Sequence, residues 1–166
     1  MRYFFVVFLI SASLLGQAQS KTTETLLKKY KPVVSAFFYH NTLRMLNQND
    51  DKELDELIKD IEKVRFLMIR KEDFGNGEYK KMLGDYKSES YEEIVTSRHD
   101  GKNFDVYMKE GSTKGMIVTV NDSANLYVLD IVGSIPLNKV TTLFNKIGES
   151  SEIVEKVRSF ASKEHH

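Results

Sequence analysis

Between Tyr91 and Gly133 the chain alternates four extended segments with three turn signals, and no other feature constrains its fold as tightly. Tyr91 to Ser97 reads as the first strand. Asp100-Gly101 follows, a dipeptide suited to a two-residue hairpin because both positions tolerate positive φ. Phe104, Val106 and Met108 then alternate with Asp105, Tyr107 and Lys109, the period-two pattern of a strand with one face in and one face out. Gly111 to Gly115 turns the chain, and Met116, Val118 and Val120 resume the alternation. Asn121 to Asn125 turns it again. Leu126 to Val132 is the last strand, and Gly133 ends it. This spacing predicts a four-strand antiparallel meander.

Upstream the period changes. Thr22 to Lys31 places Leu26, Leu27 and Tyr30 at helical spacing, with Thr22 or Thr23 as cap and Pro32 as stop. Val33 to Tyr39 is a short apolar run and reads as a buried strand. Asn41 to Leu46 reads as a helical turn. Asp50 with Glu53 forms a capping box, and Leu54, Leu57, Ile58 and Ile61 form the stripe of an amphipathic helix. Val64 to Arg70 is a second apolar strand. Strand, helix, strand predicts a right-handed crossover with the two strands parallel, both central in the sheet. After the Gly75-Asn76-Gly77 break, Tyr79, Met82, Leu83 and Tyr86 mark another helix.

Beyond the meander, Pro136 suits a first helical turn. Leu137, Val140, Leu143, Phe144 and Ile147 form its stripe, and Gly148 stops it. Ile153, Val154, Val157 and Phe160 mark a further closing helix. The expected class is α+β: a single mixed sheet, made of a βαβ unit plus the antiparallel four-strand meander, with helices packed on one face.

The first eighteen residues carry a separate message. Arg2 precedes an apolar run from Tyr3 to Leu15, and Gly16-Gln17-Ala18 supplies small residues for a signal peptidase, so cleavage is expected after Ala18. The run is too short to span a bilayer, which needs about 20 residues. The chain has no cysteine, so it gains neither a lipid anchor nor disulfides. Removing residues 1–18 leaves 148 of 166, one domain over 19–166 whose last few residues are expected to be disordered. The mature chain keeps 23 Lys plus Arg against 24 acids, a net charge of −1. That balance argues against nucleic acid, which needs a basic face, and against anionic lipid.

The order of these residues resembles the domain of unknown function 4252 family, small exported proteins of Bacteroidetes. The resemblance is densest in Tyr91-Glu92-Glu93-Ile94-Val95, in His99-Asp100-Gly101-Lys102, and in the strand Phe104 to Glu110. It continues through Tyr127-Val128-Leu129-Asp130-Ile131-Val132-Gly133-Ser134-Ile135 and the helix opening with Leu137, and covers most of the mature chain. The family implies an envelope or secreted location and helices packed on a sheet. It implies no activity and no functional residues to carry over. Members often look like lipoproteins; the lack of cysteine here points instead to a soluble periplasmic or secreted protein.

Catalytic and metal signatures are missing. Metal sites need clustered His, Cys or carboxylates, whereas His40 and His99 are isolated and His165 and His166 end the chain. Asn49-Asp50-Asp51 with Asp55 and Glu56 lacks the glycine of a calcium loop and reads as a helix cap. Gly75-Asn76-Gly77 lacks a third glycine and a following Lys-Ser/Thr pair, and Gly111 to Gly115 joins two strands, so neither reads as a phosphate loop. No Gly-x-Ser-x-Gly elbow occurs. No cofactor is expected.

The leading expectation is a non-catalytic binding module of the cell envelope, with an envelope protein or a small ligand as partner. The alternatives are a small-ligand carrier using Phe37, Phe38, Phe66, Phe104 and Phe144, or an enzyme with a spatially assembled carboxylate site. Asp105, Tyr107, Lys109, Ile117, Thr119, Val128 and Asp130 are expected to share the sheet face away from the core, as an open partner platform, as a face covered by the last helix, or as an ordinary solvated face. Asp122-Ser123-Ala124 matches a three-residue acceptor for O-glycosylation in Bacteroidetes, with Ser123 as the acceptor; a plain β-turn is the competing reading. Protein isolated from its native host should therefore begin at Gln19 by N-terminal sequencing. Its intact mass should exceed that of residues 19–166 by a glycan that is lost in Ser123→Ala; an unmodified mass removes the acceptor reading.

Overall fold

The computed structural model describes residues 19–147, except 46, 48, 49 and 76. The leader expected over 1–18, the stop expected at Gly148 and the closing helix expected over 153–160 lie outside the described residues. In chain order the elements are α1 (Lys21–Lys29), β1 (Val34–Tyr39), α2 (His40–Met45), α3 (Lys52–Ile58), β2 (Ile61–Arg70), α4 (Glu78–Ser88), β3 (Glu92–His99), β4 (Lys102–Lys109), β5 (Gly115–Asn121) and β6 (Asn125–Gly133). A 3₁₀ turn (Leu137–Lys139) leads into helix α5, described over 140–147. The six strands form one sheet in the order β1-β2-β6-β5-β4-β3.

The α+β class with a single sheet and the four-strand meander is what the residues build. The β3–β4 turn has both Asp100 (φ 48) and Gly101 (φ 72) in the left-handed region, the backbone of a type I′ hairpin whose twist matches that of its strands. Two details of arrangement differ from expectation. First, β1 pairs with β2 antiparallel, with Val34 opposite Met68 and Tyr39 opposite Lys63, so the expected parallel crossover is corrected. A crossover helix must climb back along the whole strand. The six residues of α2 and seven of α3 rise only about 1.5 Å each, which leaves both helices at the end of the sheet where β1 stops. Ile61, expected on the helix, opens β2 instead. β1 is consequently an edge strand rather than a central one.

Second, helices cover both faces rather than one. On one face Leu43, Leu54, Leu57, Ile58, Val140, Leu143 and Ile147 pack over Val64, Phe66, Val118, Leu129 and Ile131. On the other, Leu26 of α1, its C-cap Tyr30, and Met82 and Tyr86 of α4 pack over Leu67, Ile69, Ile117 and Val128. β2 and β6 are covered on both sides, which explains why they read as nearly unbroken apolar runs.

Local sequence explains the helix starts. Ser20 caps α1, its Oγ accepting from Thr22 N at 3.1 Å and Thr23 N at 3.3 Å, ahead of the Thr22 or Thr23 expected to do so. Asp51, not Asp50, caps α3 and accepts from Glu53 N at 2.9 Å.

Where β6 ends, Gly133 (φ +122) meets a register shift in β2 between Ile61 and Lys63. A Cβ at Gly133 would lie 2.1 Å from the Asp60 carbonyl oxygen. Both the positive φ and the backbone contact exclude a side chain. Gly133→Ala should cost about 3 kcal/mol, read as a lower urea midpoint with an unchanged slope; a cost below about 0.5 kcal/mol would contradict this close approach.

Candidate functional site

The register puts the expected residues on one face. Asp105 lies opposite Thr119, and Thr119 opposite Val128. Tyr107 lies opposite Ile117, and Ile117 opposite Asp130. Lys109 lies opposite Gly115. The face is not an open platform, however. α1 and α4 seal it, and Asp105, Thr119 and Asp130 are each 0% exposed. Tyr107 is buried and only Lys109 is half-exposed. The reason lies in α1, whose Leu26 and C-cap Tyr30 need an apolar surface and find it here.

Two buried acids sit on this face in opposite states. Asp105 is fully paired. Oδ1 accepts from Arg98 Nη2 at 2.8 Å and from the Thr96 hydroxyl, and Oδ2 from the Tyr79 hydroxyl, which also contacts Thr119 Oγ1 at 3.0 Å. Burial raises the Tyr79 hydroxyl well above the ordinary phenol range, and the bond to Asp105 raises it further. A carboxylate with three donors, one of them a guanidinium, is held in place, so this network staples α4 to β3 and β4. Nearby, Tyr107 donates to Glu93 Oε2 at 3.2 Å, and Lys87 pairs with the same oxygen at 2.9 Å.

Asp130 is not paired in this way. Oδ2 accepts from Ser20 N at 3.1 Å, and Oδ1 has no hydrogen-bond partner among the described residues. No ion pair among those residues involves Asp130; Arg65, the nearest guanidinium influence, is bonded to Glu24 at 2.5 Å. Burial therefore pushes the Asp130 carboxyl up to about 6, against weaker opposing effects of the Thr23 hydroxyl and Ser20 N–H. Above it, Glu89 closes the start of α1. Its Oε1 accepts from Ser20 Oγ at 3.1 Å and Thr22 N at 2.6 Å, and its Oε2 from Lys21 N at 2.8 Å. Two carboxyl groups thus meet the first turn of α1, where free N–H groups favour negative charge. A cleft of about 240 Å³ opens beside them, lined by Gln19, Lys21, Glu89, Tyr91, Lys109 and Thr113 among others. Lys109 Nζ stands over the Tyr91 ring at 5.5 Å.

The other candidates have ordinary places. His40 is half-buried and its Nδ1 lies 2.9 Å from the Ile61 carbonyl oxygen. His99 is exposed beside Asp100. Asp51 and Asp55 serve the start of α3, where Asn47 bonds both. Among the described residues no group of three or more His, Cys, Asp or Glu could hold a metal ion, and no helix is long and apolar enough to cross a membrane. Phe38 and Phe66 are core residues, with Phe144 edge-on to Phe66 at 6.0 Å. Phe37 instead lies on the sheet face of Arg65, whose guanidinium is 5.1 Å from its ring. Ser123 is exposed in the β5–β6 turn, which Asp122 closes by accepting from Ala124 N and Asn125 N. Reading the sequence missed Ser20 and Glu89. The available signal was Asp130 itself, a lone acid inside the apolar run Tyr127 to Val132.

The state of Asp130 has a measurable sign. A carboxyl raised from 3.8 to about 6 favours the folded state while protonated, so stability should fall as pH rises from about 4 to about 6 and stay flat above. On a chain that keeps Gln17 and Ala18 ahead of Gln19, Asp130→Asn should remove that slope and add about 2 kcal/mol at pH 7.5, measured by urea unfolding across pH. A variant with the wild-type slope, or one less stable at pH 7.5, would contradict it.

The model of a family described as Domain of unknown function (DUF4252) matches residues 20–143 of the chain. No curated protein and no solved structure matches it. The match runs from the cap of α1 to the middle of α5 and takes in both buried acids and the whole sheet, more than half of the sequence, so the chain belongs to the DUF4252 family.

Proposed function

We propose that this protein is an exported, non-catalytic interaction module of the cell envelope that takes up an extended segment of a partner along β1. The observation that carries the proposal is an asymmetry between the two edges of the sheet. β3, one edge, is defended: it holds Glu92, Glu93, Arg98 and His99 and is interrupted by a register shift between Glu93 and Val95. Charges and bulges are the usual means of preventing strand addition at an edge. β1, the other edge, is Val34-Ser35-Ala36-Phe37-Phe38-Tyr39. It carries no charge and no proline and pairs with β2 without a shift.

Apolar surface accompanies this edge. Tyr39 is 60% exposed and meets Phe37 at 4.8 Å, and Met45 of α2 is 76% exposed. An extended peptide beside β1 would gain main-chain hydrogen bonds from the edge and side-chain contacts from Phe37 and Tyr39. The two buried acids do not favour catalysis. Asp105 is committed to its donors, and Asp130 lies beneath α1. The partner face inferred from sequence is sealed, so the binding surface moves from the meander to the opposite end of the sheet. Exposure of Ser123 in its turn is compatible with its reading as a glycan acceptor.

A photo-cross-linking residue in place of Tyr39, expressed in the native envelope, should capture a partner through an extended segment of that partner. Ser35→Lys places a charge on the edge at an exposed position, should change stability by less than about 0.5 kcal/mol, and should abolish the cross-link. Capture that survives Ser35→Lys, or that maps to β3 instead, would contradict the proposal.

A further inference from the structure

Asp130 and Glu89 point to a ligand that the chain itself supplies. Asp130 is fully buried with one oxygen unpartnered, and Glu89 stands beside it at the first turn of α1. Neither forms an ion pair among the described residues. None of the described charged groups around them is ion-paired to either acid. Lys109 of β4 lies over the Tyr91 ring, Arg65 of β2 is bonded to Glu24 of α1, and Tyr86 of α4 meets the Thr23 hydroxyl at 3.0 Å. Lys21 gives its backbone N–H to Glu89.

The chain enters the fold at this point. Ser20 N is 3.1 Å from Asp130 Oδ2, and the nitrogen of Gln19 lies one residue upstream, within about 3.8 Å of Ser20 N. Gln19 is seated in the fold rather than trailing from it: it is half-buried, its Nε2 is buried, and it lines the cleft beside Glu89. In the uncleaved chain the Gln19 nitrogen is a neutral amide. Cleavage before Gln19 turns it into an ammonium beside two carboxyl groups that have no ion-pair partner among the described residues.

We propose that the α-ammonium released at Gln19 by leader cleavage is a structural ion of the mature fold, seated against Asp130 and Glu89 and locking α1 onto the sheet. The inference rests on the export reading for its biological occasion, but its chemistry is tested independently of it. Processing then completes the fold as well as removing the leader: α1 docks less firmly before cleavage and more firmly after it.

The test uses the chain beginning at residue 19 with Gln19→Ala, which stops the amine from closing onto its own side chain, beside the same chain acetylated at that amine. At pH 7 the free amine should melt at least about 3 °C higher. The gap should close as pH rises past the range in which an α-ammonium titrates, about 8 and upward when paired. It should also shrink in Asp130→Asn, where one of the two carboxyl groups is gone. By carbon NMR, Asp130 should titrate at least one unit lower in the free-amine chain than in its acetylated twin. Equal melting temperatures together with equal Asp130 titration would overturn the proposal. A cleaved N-terminus other than Gln19 in protein from the native host would overturn the proposal while leaving export standing, and an uncleaved leader would overturn both.

Discussion

The pairing of β2 with β6 is the constraint on which the rest of the structure depends. It joins the N-terminal hairpin to the meander across a register running from Ile61–Gly133 to Arg70–Asn125. Both strands are buried on both faces, so neither can slip by one residue without sending its whole set of side chains to the wrong side. Gly133 fixes one end of that register through its contact with Asp60. Everything outside these two strands is positioned from them: α2 and α3 by the end of β1, α1 and α4 by the face that β6 shares with β5 and β4.

That same register accounts for the unusual state of Asp130. The alternation along β6 assigns Leu129 and Ile131 to one core and Val128 and Asp130 to the other. An acid on an interior strand, under a helix, must be paired or lose its charge. Asp105, nearer the β3 edge, is reached by Arg98 and Thr96. Asp130, two strands further in, accepts a hydrogen bond from the start of α1, while Arg65 opposite it on β2 is bonded to Glu24 instead. The difference between a structural staple and an unsatisfied charge is therefore one of distance from the sheet edge, and it assigns the two acids different roles on a single face.

Much of the fold was legible in the sequence because its signals are local. The meander follows from period-two alternation and the Asp100-Gly101 turn, and the placement of Asp105, Tyr107, Thr119 and Asp130 on one face follows from that alternation alone. Two features were not legible. The direction of β1 relative to β2 depends on where α2 and α3 stop, and Ile61 fits a helical stripe as well as it fits a strand. The cover over the meander face depends on α1 packing against residues about a hundred positions away, a contact that no local pattern encodes. The edge asymmetry behind the proposed function is visible in the letters of β1 and β3, but it acquires meaning only once both are known to be edges.

Native-state amide exchange followed residue by residue tests most directly whether β1 is an open edge held ready by a rigid interior. The amides of β2 and β6 should exchange only through global unfolding, while alternate amides of β1, those facing away from β2, should exchange orders of magnitude faster. Protection of every β1 amide to the level of β2 in the isolated protein would contradict an open β1, because the edge would then already be occupied.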